Sequence, residues 1–308
     1  MLETGLLIAP IFALLILGNL IKKVAIHNEE FWRLNDKLIY WLLLPSLFFN
    51  KVSTAEFNFS NFNDYFVILI LGFFSLVFVA LLIGKLFKFD QKTKTSVLQG
   101  SVRHNSFIAL AIVAELYGNQ GIVYATMILV ILIPMTNLSI VTLMVLLLHS
   151  GGKGIKQIGN SIIKNLFANP LLISIFLGLV CANYELNDIA ILHDVTGILS
   201  GATLPLALLV VGASIKIKLI NSDLLPIVSS AIIKLLLFPL SVLLLAEYFY
   251  LSTIQTTVLL IFAAVPTAVS SYSLAQQMGG NAKLMGSIIS VETFLAFFTL
   301  PLVLTLAK

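Results

Sequence analysis

Residues 265–273 read Val-Pro-Thr-Ala-Val-Ser-Ser-Tyr-Ser, and they lie in the middle of an apolar stretch that extends from residue 252 to residue 277. Proline has no backbone N–H and clashes with the preceding helical turn, so Pro266 predicts an interruption in an otherwise continuous helix. Hydroxyl side chains follow the proline at Thr267, Ser270 and Ser271. The stretch therefore predicts a polar break deep inside an apolar segment.

A second polar break is predicted in the first half of the chain. Residues 103–106 read Arg-His-Asn-Ser within the apolar stretch 98–117, and Asn105 lies 161 positions before Pro266. Asparagine competes for backbone partners with its own side chain, which weakens a helix. If both helices unwind here and cross, free amides and two half-helix N-termini face one cavity. Such positive helix ends favour anionic groups.

The composition predicts that the rest of the chain is embedded in lipid. Hydrophobic residues make up 59% of the 308 residues, charged residues 10%, and the mean hydropathy is +1.05. A soluble globular domain carries about 25% charged residues. A spanning helix needs about 20 mostly apolar residues. The predicted spans are residues 3–21, 36–54, 64–86, 98–117, 121–148, 165–182, 196–215, 224–246, 252–277 and 284–306. We therefore expect an all-α integral membrane protein with ten transmembrane helices.

The two halves of the chain resemble each other at a fixed offset. Pro10 recurs as Pro170 and Pro45 recurs as Pro205, in both cases 160 residues later. A unit of five spans is odd in number, so the second copy enters the membrane upside down. Inverted repeats with interrupted helices are typical of secondary transporters, whose site lies at the repeat interface. Unrelated helix-kinking prolines are the alternative explanation. The predicted domains are residues 1–148 (first repeat), 149–164 (short cytoplasmic linker) and 165–308 (second, inverted repeat).

The distribution of Lys and Arg predicts the orientation. Fifteen of these residues fall in the loops on one side of the predicted spans, whereas the opposite side carries only Lys51 and Lys308. The positive-inside rule then places both termini outside the cytoplasm. We expect a multi-pass protein of the cytoplasmic membrane.

Polar side chains near the two breaks are the candidate substrate ligands. They are Asn105, Ser106, Pro266, Thr267, Ser270 and Ser271, with Asn50 and Asn137 of the second and fifth spans as additional candidates. Hydrogen bonding between helices is the alternative for each small polar residue. Arg103 and His104 are interpreted as ordinary positive-inside charges, with steering of anions as the alternative.

Three ionisable residues are candidates for ion coupling. Lys234, Glu292 and Glu115 lie within predicted spans, where burying a charge costs at least a few kcal/mol. H⁺ and Na⁺ are the candidate coupling ions. A structural ion pair between Lys234 and Glu292 is the alternative, and a wetted position near the outer end of its span is the alternative for Glu115.

The sequence argues against several other functions. Its basic residues are scattered and form no patch for nucleic acid. The four histidines lack the His-Glu-x-x-His spacing, and Cys181 is the single cysteine, so no metal site or other cofactor is expected. Without clustered aspartates or a Gly-rich phosphate loop, no catalytic residues are predicted either. A channel remains the alternative to a transporter.

Several short motifs resemble one known family. They are Leu42-Leu43-Leu44-Pro45-Ser46-Leu47, Arg103-His104-Asn105-Ser106-Phe107, Ala202-Thr203-Leu204-Pro205-Leu206-Ala207-Leu208 and Val265-Pro266-Thr267-Ala268. In these positions the chain looks like the auxin efflux carrier family, which includes bacterial malate permease-like members and plant auxin exporters. The resemblance implies two inverted five-helix repeats, with helices 4 and 9 broken and crossing as in bile-acid-symporter-like folds. It also implies a homodimer that moves small organic anions.

Two departures from the plant members bear on the substrate. The plant proteins have a proline at the helix 4 break, where this chain has Asn105-Ser106-Phe107, and they carry a long loop where residues 149–164 lie here. The resemblance therefore favours a small carboxylate such as malate over auxin.

Overall fold

The computed structural model describes residues 2–55, 62–148, 168–183, 190–215 and 224–306, and within these ranges every regular element is a helix. The helices are α1 (Leu2–Val24), α2 (Glu29–Leu38), α3 (Leu44–Ser53), α4 (Phe62–Leu86), α5 (Gln91–Val102), α6 (Ser106–Leu148), α7 (Pro170–Asn183), α8 (Ala190–Ser214), α9 (Leu224–Ile232), α10 (Phe238–Tyr248), α11 (Thr253–Ala264), α12 (Ser270–Gln277) and α13 (Ala282–Thr305). Two π-helical turns, Ile39–Leu43 and Ile233–Leu237, join α2 to α3 and α9 to α10. The all-helical prediction is confirmed.

Six helical stretches in the described ranges are long and apolar enough to cross a membrane. They are Gly5–Val24, Asn63–Leu86, Gln91–Leu148, Ile191–Ser214, Leu224–Tyr248 and Ala282–Thr305. Two shorter apolar helices, α7 and α11, accompany them. The six stretches and the ten predicted spans differ in part because α6 covers the second half of the predicted fourth span and the whole of the fifth, with a break at Gly118, whose φ of 54° and ψ of −137° are not helical. The predicted linker, residues 149–164, lies outside the described residues.

The outer surface of the helices is apolar, as expected for a chain surrounded by lipid. Phe78, Phe176 and Phe294 are 66%, 64% and 67% exposed. Large aromatic side chains facing outward would be costly in water, but they match the hydrocarbon core of a bilayer. The long helices therefore turn apolar faces both to the protein interior and to lipid.

Glycines bring two pairs of helices into close contact. A Cβ atom at Gly18 of α1 would overlap the Leu209 carbonyl of α8, and one at Gly212 of α8 would overlap the Leu15 carbonyl of α1. Gly178 of α7 packs in the same way against Val52 of α3. Small residues allow such close backbone contact between membrane helices. Helices α3 and α2 also pack on α8, so α1, α2, α3, α7 and α8 form one group of helices.

The remaining helices form a second group, which carries both predicted breaks. In this group α5 packs on α4, α9 and α13, and α11 packs on α6, α10 and α13. Its helices α6 and α13 contact α1 of the first group. The space between the two groups contains the site described next.

Candidate functional site

The first break separates α5 from α6. Helix α5 ends at Val102, where the Arg103 N–H donates to the Gln99 carbonyl at 3.0 Å, and α6 begins at Ser106. The side chain of Asn105 caps the new helix, because its Oδ1 accepts from the Ile108 N–H at 3.2 Å. This is the bond that an N-cap asparagine usually makes. The two helix ends at the first break are therefore capped by residues of the break itself.

The second break separates α11 from α12 and is held by residues from other helices. A continuous helix would bond the Phe262 carbonyl to the N–H of residue 266, but Pro266 has none. Lys234 Nζ donates to that carbonyl instead, at 3.4 Å. The backbone becomes extended at Val265, and the Thr267 N–H that follows donates to Glu292 Oε2 at 3.0 Å. Two side chains of opposite charge thus satisfy two of the backbone groups that the break exposes.

The two breaks contact each other directly. The Asn105 N–H donates to the Pro266 carbonyl at 2.9 Å, so the two positions paired by the sequence offset of 161 are hydrogen-bonded. The Thr267 hydroxyl donates to the Gln99 carbonyl at 3.1 Å. Arg103 Nη2 donates to the Ser270 hydroxyl at 3.0 Å, which links the end of α5 to the start of α12. The interrupted helices therefore meet at their non-helical segments.

A cavity of about 650 Å³ lies between the two groups of helices and reaches the point where the breaks meet. Its inner wall includes Arg103, Asn105, Ser106 and Ser270, so the first residues of both α6 and α12 border it. The outer part is lined by residues of α1 and α2, where Lys22 and Glu29 form an ion pair at 2.8 Å. A second ion pair joins Arg33 of the same rim to Glu30. With Lys22 and Arg33 in these pairs, Arg103 is the Lys or Arg side chain of the described cavity wall that has no ion pair, and the Asp36 carboxylate lines the same cavity.

Arg103 has hydrogen-bond capacity that the described protein does not use. Its Nη2 is bonded to Ser270, but Nε and Nη1 are buried without a partner. A buried donor of a charged group is costly when it is unsatisfied. A guanidinium matches the geometry of a carboxylate, to which it donates two parallel hydrogen bonds. Nε and Nη1 lie on different edges of the guanidinium, so a carboxylate can bond to either one of these unused donors but not to both as a parallel pair.

The sequence interpretation assigned Arg103 to the positive-inside charges, whereas the structure places it in the cavity wall. The number of Lys and Arg residues in the loops could not distinguish these roles, because a charge at a helix break lies near the predicted end of a span. Its position two residues before Asn105 was the signal that could have identified it.

Lys234 and Glu292 are fully buried behind the meeting point rather than in the cavity wall. Lys234 lies on the π-helical turn Ile233–Leu237, with Nζ 4.7 Å from the centre of the Phe238 ring. Glu292 Oε1 accepts from the Ser230 hydroxyl at 2.7 Å. Each charge lies in the electrostatic field of the other, but no ion pair within 4.0 Å joins them. Their hydrogen bonds to backbone groups differ from the direct ion pair considered as the alternative.

The other candidates are divided between the cavity and the protein interior. Asn137 lines the cavity together with Asn105, Ser106 and Ser270. Pro266, Thr267 and Ser271 are buried in the second break and do not line it. Asn50 lies elsewhere, where its Nδ2 donates to the His193 carbonyl at 3.2 Å. Glu115 is exposed on α6 and is not part of the cavity wall.

Comparison with known proteins identifies the family. A family model described as membrane transport protein matches residues 6–304, which is nearly the whole chain. The chain belongs to the membrane transport protein family. The resemblance to auxin efflux carriers that the sequence motifs predicted is confirmed by this match.

Curated relatives of this membrane transport protein match it from end to end. One is an uncharacterized transporter of Methanothermobacter thermautotrophicus, 23% identical over 300 residues that cover 96% of this chain and 95% of the relative. Another is an uncharacterized transporter of Methanocaldococcus jannaschii, 22% identical over 300 residues that cover 95% of each. The family is one of membrane transporters rather than enzymes.

Proposed function

We propose that this protein is a secondary transporter that moves small organic anions, carboxylates such as malate, by alternating access. The observation that carries the proposal is the Arg103 guanidinium, which has buried, unsatisfied donors where two interrupted helices meet beside a cavity. A neutral substrate would leave this charge without a partner. A carboxylate would accept a hydrogen bond from one of the unused donors and neutralise the charge.

The helix ends add to the attraction for an anion. Ser106 and Ser270, the first residues of α6 and α12, border the cavity beside Arg103. The N-terminus of a helix carries a partial positive charge, which favours bound anions. Asn105, Ser106, Ser270 and Asn137 supply donors and acceptors for the hydroxyl groups of a hydroxy acid. Pro266, Thr267 and Ser271 act by shaping the break.

We further propose ten transmembrane helices in two inverted repeats, residues 1–148 and 165–308. The contact between Asn105 and Pro266 supports this arrangement, because the two residues occupy equivalent positions in the repeats. Helix α1 packs on α8, and α7 packs on α3. Because α1 and α7 lie in the first predicted span of each half and α3 and α8 in the second, the two contacts are equivalent and also support the arrangement. A site between two such halves suits alternating access.

The proposed orientation places both termini outside the cytoplasm, in the cytoplasmic membrane of the cell. The rim residues Lys22 and Arg33 belong to the loop side that is rich in Lys and Arg, so the cavity opens toward the cytoplasm. A homodimer is proposed from family resemblance. Coupling to H⁺ or Na⁺ would involve the buried Glu292 and Lys234, with Glu115 as an additional acidic candidate on α6.

Counterflow in proteoliposomes tests the proposal. Labelled malate outside should exchange saturably for unlabelled malate inside, with a panel of mono- and dicarboxylates as competitors. Arg103→Gln and Asn105→Ala should lose most of this exchange, while Lys92→Gln and Asn35→Ala, which change residues outside the cavity wall, should retain it. Absence of exchange for every carboxylate with the folded wild-type protein would rule out an organic-anion carrier, and flux without saturation or counterflow would indicate a channel.

A further inference from the structure

Glu292 is the single buried acidic side chain among the described residues, and it lies directly behind the cavity. Gly286 and Ile289 of α13 line the cavity wall. Residues three apart on a helix share a face, so Glu292 lies one turn deeper than Ile289 on the same side of α13. The carboxyl group is therefore close to the cavity but separated from it.

Glu292 is also hydrogen-bonded to the second break itself. Its Oε2 accepts from the Thr267 N–H at 3.0 Å, and its Oε1 accepts from the Ser230 hydroxyl at 2.7 Å. The Thr267 hydroxyl in turn donates to Gln99 on α5, three residues before the first break ends α5 at Val102. A change in the charge of Glu292 would thus act on both breaks at once.

We propose that Glu292 is the proton-binding site that couples anion binding to H⁺, so that the anion binds most tightly when Glu292 is protonated. This inference rests on the proposed function and selects H⁺ among the candidate coupling ions. It assigns the coupling to Glu292 rather than to Glu115, which is exposed and away from the cavity.

The surroundings of Glu292 suit a proton better than a metal ion. Both carboxylate oxygens already accept hydrogen bonds, and Lys234 supplies a positive charge nearby. Hard metal ions require several oxygen ligands, whereas a proton needs one.

The charges around the crossover give the direction of coupling. The titratable groups on the elements that contact α13 are Lys234 on the π-helical turn, Lys92 and Lys94 on α5, Lys22 and Lys23 on α1, and Tyr272 on α12. Arg103 and His104 follow α5 directly and line the cavity. Ionised Glu292 offsets one of the two cations, Arg103 and Lys234; protonated Glu292 offsets neither. The site is therefore more positive when Glu292 is protonated. Because linkage is reciprocal, protonation strengthens anion binding and anion binding favours protonation.

The variant Glu292→Gln removes the proton-binding carboxylate but can keep both of its hydrogen bonds. A glutamine oxygen can accept from the Thr267 N–H, and its amide nitrogen can donate to the Ser230 hydroxyl, so the variant imitates the protonated side chain. The affinity for a labelled monocarboxylate that stays ionised between about pH 6 and 8 should be measured in counterflow. The wild type should bind about tenfold more tightly at the lower pH, which lies within the usual range of coupling free energies.

Glu292→Gln should keep counterflow, bind tightly at both pH values and lose accumulation driven by a proton gradient. Glu247→Gln, at an exposed position of α10, and His104→Gln should keep the pH dependence of the wild type. Retained pH dependence in Glu292→Gln, or its loss in Glu115→Gln or His104→Gln instead, would overturn the assignment. Loss of all exchange in a folded Glu292→Gln protein would overturn it as well.

A measurement on the wild-type protein tests the coupling without any substitution. Addition of the monocarboxylate to lightly buffered, purified protein should cause proton uptake near the middle of the same pH range. Binding without proton uptake overturns the coupling but leaves the proposed transport function intact. No binding or exchange of any carboxylate overturns the transport function, and the coupling with it.

Discussion

The two helix breaks differ in how their exposed backbone groups are satisfied. At the first break, Asn105 caps α6 with its own side chain, and the nearby charge, Arg103, is left with unused donors beside the cavity. At the second break, Pro266 removes a backbone donor, and Lys234 and Glu292 reach in from other helices to bond the freed carbonyl and N–H. The charge at the first break borders the cavity, whereas the charges that hold the second break are buried outside the cavity wall.

Because of this difference, substitutions at the two breaks are expected to change different properties, anion binding at one and stability at the other. A buried charge that is fully hydrogen-bonded stabilises the segment it contacts, and removing one partner leaves the others unsatisfied. A buried charge with unused donors contributes little to folding, because its desolvation is not compensated. Substitutions at the second break should therefore mainly lower stability, and substitutions at the first should mainly lower anion binding.

The largest loss of stability is expected for Glu292→Ala. The change leaves the Ser230 hydroxyl and the Thr267 N–H without an acceptor and removes the negative charge near Lys234. Breaking such a buried arrangement costs about 3–5 kcal/mol. The free energy of unfolding in an SDS titration, followed by tryptophan fluorescence, measures the loss. Glu247→Ala, on the exposed side of α10, is the control and should unfold like the wild type.

Lys234→Met should lower the free energy of unfolding by about 2 kcal/mol, because the Phe262 carbonyl loses its donor while packing is largely kept. The double variant Lys234→Met/Glu292→Gln should lose less unfolding free energy than the two single variants lose together, since each charge lies in the field of the other. The same SDS titration gives the coupling energy. Strictly additive losses would show that the two charges act independently.

A smaller effect is expected at Asn105, where two substitutions separate capping from binding. Asn105→Ala removes the cap of α6 and should cost about 1 kcal/mol of stability. Asn105→Asp keeps a capping oxygen but places a negative charge beside the anion, so stability should be retained while counterflow is lost. Normal counterflow in a folded Asn105→Asp protein would place the anion away from this residue.

The smallest effect on stability is expected for Arg103→Gln. Because two of its nitrogens have no partner, the free energy of unfolding should change by no more than about 0.5 kcal/mol. The affinity for a carboxylate should nevertheless fall about tenfold or more, since charged hydrogen bonds contribute about 1.5–3 kcal/mol. Titration calorimetry checks the affinity, with Lys92→Gln as the control. A large loss of stability would assign Arg103 a structural role and weaken the contrast between the breaks.

The sequence predicted the positions of the breaks but not which charge serves which purpose. Pro266 and Asn105 stand out because their backbone chemistry interrupts a helix in any surroundings. The roles of Arg103 and Lys234 depend on the rotation of each helix about its axis, which spacing along the chain does not reveal in a membrane. For Lys234 the rotation is also shifted by a π-helical turn, which no sequence pattern predicted.

Interpretation of Glu292 was limited in a related way. Its depth in a span identified it as a candidate, yet its partners, Ser230 and Thr267, are 62 and 25 positions away in the sequence. Apolar spans can be located from composition alone because lipid imposes the same requirement on each of them. Long-range contacts between specific polar atoms are decided only when the helices pack.

The bond from the Asn105 N–H to the Pro266 carbonyl is made by backbone atoms alone. Alanine substitutions would therefore not reveal this contact between the two halves of the chain, since they leave both backbone atoms in place. Among the ordinary amino acids, only proline at position 105 deletes the donor. Sequences can thus diverge around this contact while the hydrogen bond between the two interrupted helices is kept.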